Sequence, residues 1–443
     1  MFARRMYDLL TSGPVKRTFK SVAKKYPAID VAVRKLQVKL FDWYRTKPRV
    51  IHHRVPSGSN ILFVDVSFLM LHDHKTGIQR VVRSILLELQ QHPPDGYTIQ
   101  PVYADPHVGY RPACLSIAMD QAFELNKAPG QDTIAVSKGD IFLGLDFACT
   151  ATLREAKYLS KLRTEGVRVF FVIYDLLPVQ FPQYFTPSSA AFHERWLRIL
   201  SRFDGVLCIS KSVADQYREW LSAQHLQLSP AFTIDYFHLG ADIQNSAPTR
   251  GTSSEDTELL LSLSQRPTFL MVGTLEPRKG YGLILDSFTE LWRKDTQVNL
   301  VIVGKAGWNI DALASVLRKH PERGHRLFWL EGVSDEYLEQ LYAKSDCLIA
   351  ASEGEGFGLP IIEAAQRGLP VLLRDIPVFR EVAGQAATYF KGDSPQETAE
   401  AIATWMESFQ DGSHIKSDAL QYNTWQQSVE QLIHALLPAK TKQ

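Results

Sequence analysis

Ala350-Ala351-Ser352-Glu353-Gly354-Glu355-Gly356-Phe357-Gly358-Leu359-Pro360-Ile361-Ile362-Glu363-Ala364-Ala365 is the stretch that decides the fold. The apolar run before it, Cys347-Leu348-Ile349-Ala350, reads as a buried strand. Gly354, Gly356 and Gly358 alternate through a loop, and Pro360 stands where a helix begins, in its first turn. A strand, a glycine loop and a helix start aim backbone N–H groups and a positive dipole end at whatever lies above them. Such a junction suits phosphate or sugar oxygens. Glu355 in the loop and Glu363 in the first turn of the helix would repel a bare anion. They make sense beside a ligand that also carries hydroxyls to donate, as a nucleotide sugar does.

Upstream, Thr268-Phe269-Leu270-Met271-Val272-Gly273 reads as another strand. Thr274-Leu275-Glu276-Pro277-Arg278-Lys279-Gly280 follows, then a helix over 281–292. Two adjacent cations at a strand–helix junction, flanked by Gly273 and Gly280, suit a diphosphate; taken alone, the pair also reads as a solvated turn. Further strands are expected at 298–304, 327–330 and 370–375, with a helix after Ser334 and a final helix over 422–436. Strands and helices alternate throughout, which predicts an α/β protein with doubly wound parallel sheets.

The first half repeats the pattern. Residues 60–66 form a buried-strand run, 72–77 a polar loop, and 78–89 a helix with apolar Val81, Val82, Ile85, Leu86 and Leu89. Gly77 is the lone glycine of that loop, and no GxGxxG stands here, so a dehydrogenase reading has little support. His72 and His74 have no third ligand spaced nearby and read as loop histidines in solvent. Strands are expected at 141–146, 167–175 and 203–209. Asp146, Tyr174 and Asp175 fall at carboxyl ends of parallel strands, where ligands bind. Asp175 reads equally as a turn cap. Ser210 reads first as an N-cap, with Lys211 beside it.

At 443 residues the chain is long enough for about two or three domains. Its 49 Lys and Arg against 48 Asp and Glu leave a charge of +1, so no global field recruits nucleic acid. Residues 1–56 depart from that balance. They are rich in Lys and Arg, and Val33, Leu36, Leu40, Phe41 and Tyr44 recur at helical spacing. This basic amphipathic helix either lies on an anionic membrane surface or packs on the next domain. The four cysteines are scattered without metal-ligand spacing, and Cys208 and Cys347 sit in apolar runs as small core residues. Met1-Phe2-Ala3-Arg4-Arg5 lacks a signal-peptide core, and no run of 18 apolar residues exists. A cytoplasmic location, peripheral on the inner membrane face if residues 1–50 bind lipid, is the expectation.

Glu355, Gly356, Phe357, Gly358, Leu359, Pro360 and Glu363 resemble, position by position, the signature of the retaining family 4 glycosyltransferases. Gly273-Thr274-Leu275-Glu276-Pro277-Arg278-Lys279 matches a second string of that family. Thr76-Gly77-Ile78-Gln79-Arg80 is similar to the donor-covering loop of members that build bacterial surface polysaccharides. The resemblance covers about residues 61–436 and implies the GT-B fold, two Rossmann-like domains facing a central cleft. It implies an extension at 1–56, an acceptor domain at 57–243 whose last strand is 236–242, a linker at 244–257, a donor domain at 258–416, and a helix at 417–443 crossing back to the first domain.

The resemblance also implies a retaining hexosyltransferase that uses a nucleotide-diphosphate sugar, with GDP-mannose favoured by the two strings. The acceptor would be a saccharide or lipid-linked saccharide of O-antigen type. Glu355, Arg278, Lys279 and Asp175 become the catalytic group. Glu363, Gly356, Phe357, Gly358, Leu359, Gly273, Thr274, Val333 and Gly77 become the donor site. Tyr174, Ser210, Lys211 and Asp146 line the acceptor side. Family members often carry His where this chain has Tyr174, which removes a histidine base at that position. No metal and no cofactor is implied, because Arg278 and Lys279 supply the cationic charge and no Asp-x-Asp motif stands in a suitable context. The alternatives left open are a non-catalytic nucleotide-sugar-binding subunit and another GT-B enzyme, such as a phosphorylase or epimerase.

Overall fold

The computed structural model describes residues 51–54, 58–72, 76–117, 123–128, 133–241, 251 and 253–437. Most of the expected basic extension, and most of the expected linker, lie outside the described residues. The described end of the extension is a strand rather than a helix. His52–His53 pairs in parallel with Ala135–Val136, and the Arg54 guanidinium meets Asp140 at 2.5 Å.

The chain divides into two compact units, one comprising Met1–Leu207 and Leu226–Ile234, the other Cys208–His225 and Asp235–Gln443. In the second, six strands form one sheet in the spatial order Leu327–Leu330, Asn299–Val303, Thr268–Val272, Cys347–Ala350, Val371–Arg374, Thr388–Phe390. Every pairing in it is parallel. The chain builds outward from Thr268–Val272 on one side, then returns to lay Cys347–Ala350 on the other. The order therefore reverses between these two neighbours, and at such a switch point the loops leaving the carboxyl ends diverge and open a crevice.

Both faces of this sheet are covered, which is why its strands are continuous apolar runs. Helix Tyr281–Arg293 buries Tyr281, Ile284, Leu285, Phe288, Leu291 and Trp292, the three-and-four spacing of one helical face. They pack with Phe269, Leu300 and Trp405 in one core. The Phe269 ring meets Phe288 and Trp405 edge-on at centroid distances of 5.5 and 5.1 Å. Truncating such a ring to Ala costs about 3–5 kcal/mol. This core fixes the two strands from which the site loops spring.

The eight-stranded sheet runs Thr233–Tyr236, Gly205–Cys208, Arg168–Ile173, Ile141–Gly144, Asn60–Asp65, Tyr97–Asp105, Gly109–Ile117, Phe123–Lys127. It corrects the expectation of parallel sheets throughout. Gly109–Ile117 pairs antiparallel with Tyr97–Asp105, and Phe123–Lys127 antiparallel with Gly109–Ile117. The strand expected at 236–242 lies earlier, at Thr233–Tyr236. Phe237, Leu239 and Ala241 are buried, yet the segment's strand-like contact is a single bridge from Gly240 to Asn423. Among the described residues no helix is long and apolar enough to cross a membrane.

Candidate active site

Two loops meet at the switch point. The first leaves Val272 through Gly273, whose φ of 139° is open to glycine, and whose carbonyl accepts from the Tyr281 hydroxyl at 2.7 Å. Pro277–Lys279 makes one 3-10 turn, and Gly280 ends it at φ 73°. A Cβ on Gly280 would lie 2.4 Å from the carbonyl oxygen of Ala351 in the second loop. The Glu353 N–H donates to the Arg278 carbonyl at 2.9 Å. Glycine thus lets the loops touch, and a backbone bond holds them.

The contact assembles a charge cluster. Arg278, 9% exposed, donates from Nη1 to the Gly354 carbonyl at 2.8 Å and lies 3.2 Å from Glu355 Oε2. Its Nη2 is 2.8 Å from Glu276. Lys279 Nζ bonds to Glu355 Oε1, and the Ser352 hydroxyl donates to that same oxygen at 2.7 Å. Burial pushes the Glu355 carboxyl up, but Arg278 and Lys279 outweigh it and hold the group at about 2. Glu355 is therefore ionised at neutral pH. It can accept hydroxyls and face a developing positive charge, but cannot act as a general acid.

The second loop ends at Gly358, φ 104°, which caps helix Leu359–Ala365. The helix starts one residue before Pro360, so Glu363 falls in its second turn rather than its first. The N–H groups of Gly356, Phe357 and Gly358 find no protein acceptor among the described residues. Three successive amides in a glycine loop beside Arg278 and Lys279 are an anion-binding arrangement. The cavity bounded by Lys279, Ser352, Glu355 and Gly358 has a volume of about 30 Å³, room for a water rather than a nucleotide. Any nucleotide must therefore meet these groups outside that small void.

Residues 255–422 match the profile of the family described as glycosyl transferases, group 1. This segment is a group 1 glycosyltransferase domain. The serotype-specific mannosyltransferase WbdA of Escherichia coli is 40% identical over 378 residues, 85% of this chain and 45% of the relative. O-antigen chain mannosyltransferase B of Escherichia coli is 34% identical over 149 residues, 32% of this chain and 37% of that one. The chain spans about half the length of the WbdA relatives it matches. Anabaena HepE, solved in complex with UDP and glucose, superposes with a TM-score of 0.57 at 18% identity, covering 85% of this chain and 99% of that one. Sucrose-phosphate synthase of Thermosynechococcus elongatus gives 0.52 at 14%, covering 84% and 94%. The fold is GT-B, as the glutamate motif implied.

Within the glycosyltransferase domain, Arg278, Lys279 and Glu355 come together as one cluster. Glu363 does not join it by direct contact. It is 3% exposed and accepts from the Tyr342 hydroxyl at 2.9 Å, while Arg367 stacks on the Tyr342 ring at 5.0 Å and donates to the Glu363 carbonyl at 2.7 Å. Thr274 is exposed, while Leu359 and Val333 are half-buried, Val333 directly preceding the Ser334 cap of helix Asp335–Lys344. Ser210 is the N-cap of helix Lys211–Ala223, and its hydroxyl also donates to the Gly356 carbonyl at 2.8 Å. The Lys211 ammonium pairs with Asp215.

In the first unit, Gly77 opens helix Gly77–Gln91 behind a Thr76–Gln79 capping box, and a Cβ there would meet nothing within 4 Å. Asp146 and Tyr174 carry internal duties. Asp146 accepts from the Leu69 N–H at 2.7 Å, inside helix Ser67–Leu71, and burial raises its carboxyl to about 6. Tyr174, 2% exposed, donates to the Leu145 carbonyl at 2.8 Å. Asp175 accepts from the Leu177 N–H at 3.1 Å, a turn cap, and its carbonyl meets His193 Nε2 at 3.3 Å.

Four partners were not singled out from sequence: Glu276, Ser352, Glu381 and His238. Glu276 and Ser352 lie inside the quoted strings, and their signal was proximity to Arg278 and Glu355. Glu381 accepts from the N–H groups of Lys211 and Ser212 at 2.6 and 2.7 Å and from His238 Nε2 at 2.7 Å. Nothing local in sequence announces that arrangement. Among the described residues no three His, Cys, Asp or Glu side chains are grouped to hold a metal ion.

Proposed function

We propose that this chain transfers a hexose from a nucleotide-diphosphate sugar to a hydroxyl of a saccharide or lipid-linked saccharide, retaining the anomeric configuration. Mannose from GDP-mannose is the favoured donor group. The observation that carries this reading is the junction of three acceptor-free amides, two cations and one ionised carboxylate on adjoining loops. The WbdA and O-antigen mannosyltransferase relatives support the sugar and the polysaccharide context.

Lys279, Arg278 and the amides of Gly356, Phe357 and Gly358 take the diphosphate. Their attraction grows as the bond from the anomeric carbon to the phosphate oxygen breaks, because charge collects on that oxygen. A preorganised donor of this kind is worth roughly 2.7–4 kcal/mol. Glu355 accepts a sugar hydroxyl and faces the positive charge developing at the anomeric carbon. The acceptor oxygen bonds to that carbon on the face the phosphate leaves, and its proton passes to the departing phosphate oxygen. Arg278 and Lys279 supply the positive charge, so the step calls for no metal ion. Glu363, oriented by Tyr342, accepts from the ribose hydroxyls.

A panel of GDP-, UDP- and dTDP-sugars assayed for transfer tests the reading. Transfer from GDP-mannose is expected, lost in Arg278→Ala/Lys279→Ala and retained in Glu363→Ala with a raised donor KM. Wild-type turnover and donor affinity in both variants would overturn the assignment. Product formation that depends on inorganic phosphate would favour a phosphorylase instead.

A further inference from the structure

We infer that the second unit holds a separate binding site for a neutral saccharide, behind the glycine loop; the choice of ligand class rests on the glycosyl-transfer reading above. A cavity of about 490 Å³ lies there, lined among others by His238, Phe357, Gln385, Gln421, Tyr422 and Gln427. That volume falls within the roughly 300–1,000 Å³ of small-molecule sites. It is far larger than the void beneath Glu355.

The lining selects by charge. Among its lining residues the acidic and basic side chains are Glu381 and His238, and they bond to each other at 2.7 Å. The other Glu381 oxygen accepts the N–H and the hydroxyl of Ser212, at 2.7 and 2.5 Å. An anion meets a carboxylate here, and a cation finds that carboxylate already committed. What remains is neutral. The side-chain amides of Gln385 and Gln421 and the phenol of Tyr422 have no partner among the described residues. An amide both donates and accepts, which matches neighbouring sugar hydroxyls. Tyr422 is 45% exposed and offers a ring face to the apolar C–H side of a pyranose.

The site is joined to the donor loop. Phe357 forms part of the wall, and its ring lies 5.7 Å from that of His238. A saccharide seated here touches the residue two positions after Glu355.

The test uses the full chain and a diazirine-labelled α-linked mannotriose. Photolysis followed by peptide mapping is expected to place label on segments 384–386 and 419–427. Two surface variants, Gln385→Trp, which fills the cavity, and Tyr422→Ala, should each cut that labelling at least ten-fold while calorimetric GDP binding stays unchanged. Absence of label from these segments, or equal labelling of them in both variants, would overturn the inference. The two readings separate: labelling here without transfer from any donor removes the proposed function, and transfer without labelling here removes this site alone.

Discussion

The hydroxyl of Ser210 donates to the carbonyl of Gly356 at 2.8 Å, across 146 residues of chain. The same oxygen accepts from the Val213 N–H at 3.1 Å. One atom therefore caps helix Lys211–Ala223 and fixes the loop that carries Glu355. Ser210→Ala should lose a cap worth about 1 kcal/mol and lower the melting temperature by a few degrees. It should also lower kcat about ten-fold, because Gly356 loses its donor. Ser210→Thr should restore both. An alanine variant with reduced melting temperature but wild-type kcat would leave Ser210 a cap and nothing more.

Glu355 is held at about 2, below the ordinary 4.5 of a glutamate. Its ionised form is favoured in the fold, so its stabilising contribution is complete above about pH 4.5. It fades as pH falls from there toward 2. Glu355→Gln leaves Arg278 with Glu276 but strips Lys279 of its carboxylate, so one partly buried charge is unmatched, at a cost of about 3 kcal/mol. Chemical denaturation of the two proteins should show a stability gap that is constant from pH 5 to 8 and narrows below 4.5. A gap that widens on acidification would contradict the ion cluster.

The all-parallel sheet was legible because strands buried on both faces read as unbroken apolar runs; 327–330 and 347–350 were placed to the residue. Tyr97–Asp105, Gly109–Ile117 and Phe123–Lys127 were not. Pro101 and Pro112 argue against a strand locally, and Phe123-Glu124-Leu125-Asn126-Lys127 is as polar as a loop. Arg278, Lys279 and Glu355 were legible because each lies in a contiguous string at a strand end. Ser210 on Gly356 and Glu381 on Ser212 were not, because such contacts join residues 146 and 169 apart. Glu363 was legible as a carboxylate near the start of its helix, but its Tyr342 partner depends on how two helices pack.

Asp65 and Asp146 reverse the pH logic of Glu355. Burial lifts Asp65 to about 7 and Asp146 to about 6, against an ordinary 3.8. The folded state then binds protons that the unfolded chain releases, so stability falls as pH rises from about 4 to 7. Asp65 accepts from the Ser67 N–H at 2.9 Å and from the Tyr110 hydroxyl at 3.2 Å. An Asn can accept the first bond and donate the second to the phenol. Asp65→Asn should flatten that slope and stabilise the protein at pH 8 by on the order of 1–3 kcal/mol. Urea midpoints at pH 5 and 8 decide it; a variant weaker at both would mean that the ionised carboxylate is required.

Gly280 and Gly282 sit two residues apart and should respond oppositely to alanine. Gly280 has φ 73°, and a Cβ there would approach the Ala351 carbonyl to 2.4 Å, so the two site loops must separate to admit it. The strained backbone alone costs of order 1–3 kcal/mol. Gly282 lies inside helix Tyr281–Arg293, and a Cβ there meets nothing within 4 Å. Gly282→Ala should stabilise by about 0.5–1 kcal/mol through the unfolded chain and leave transfer unchanged. Gly280→Ala should destabilise by 2 kcal/mol or more, about that much at least given the clash, and weaken donor binding as Arg278 and Lys279 shift from Glu355. If Gly280→Ala kept wild-type donor affinity, the close approach of the loops would not be what assembles the cluster.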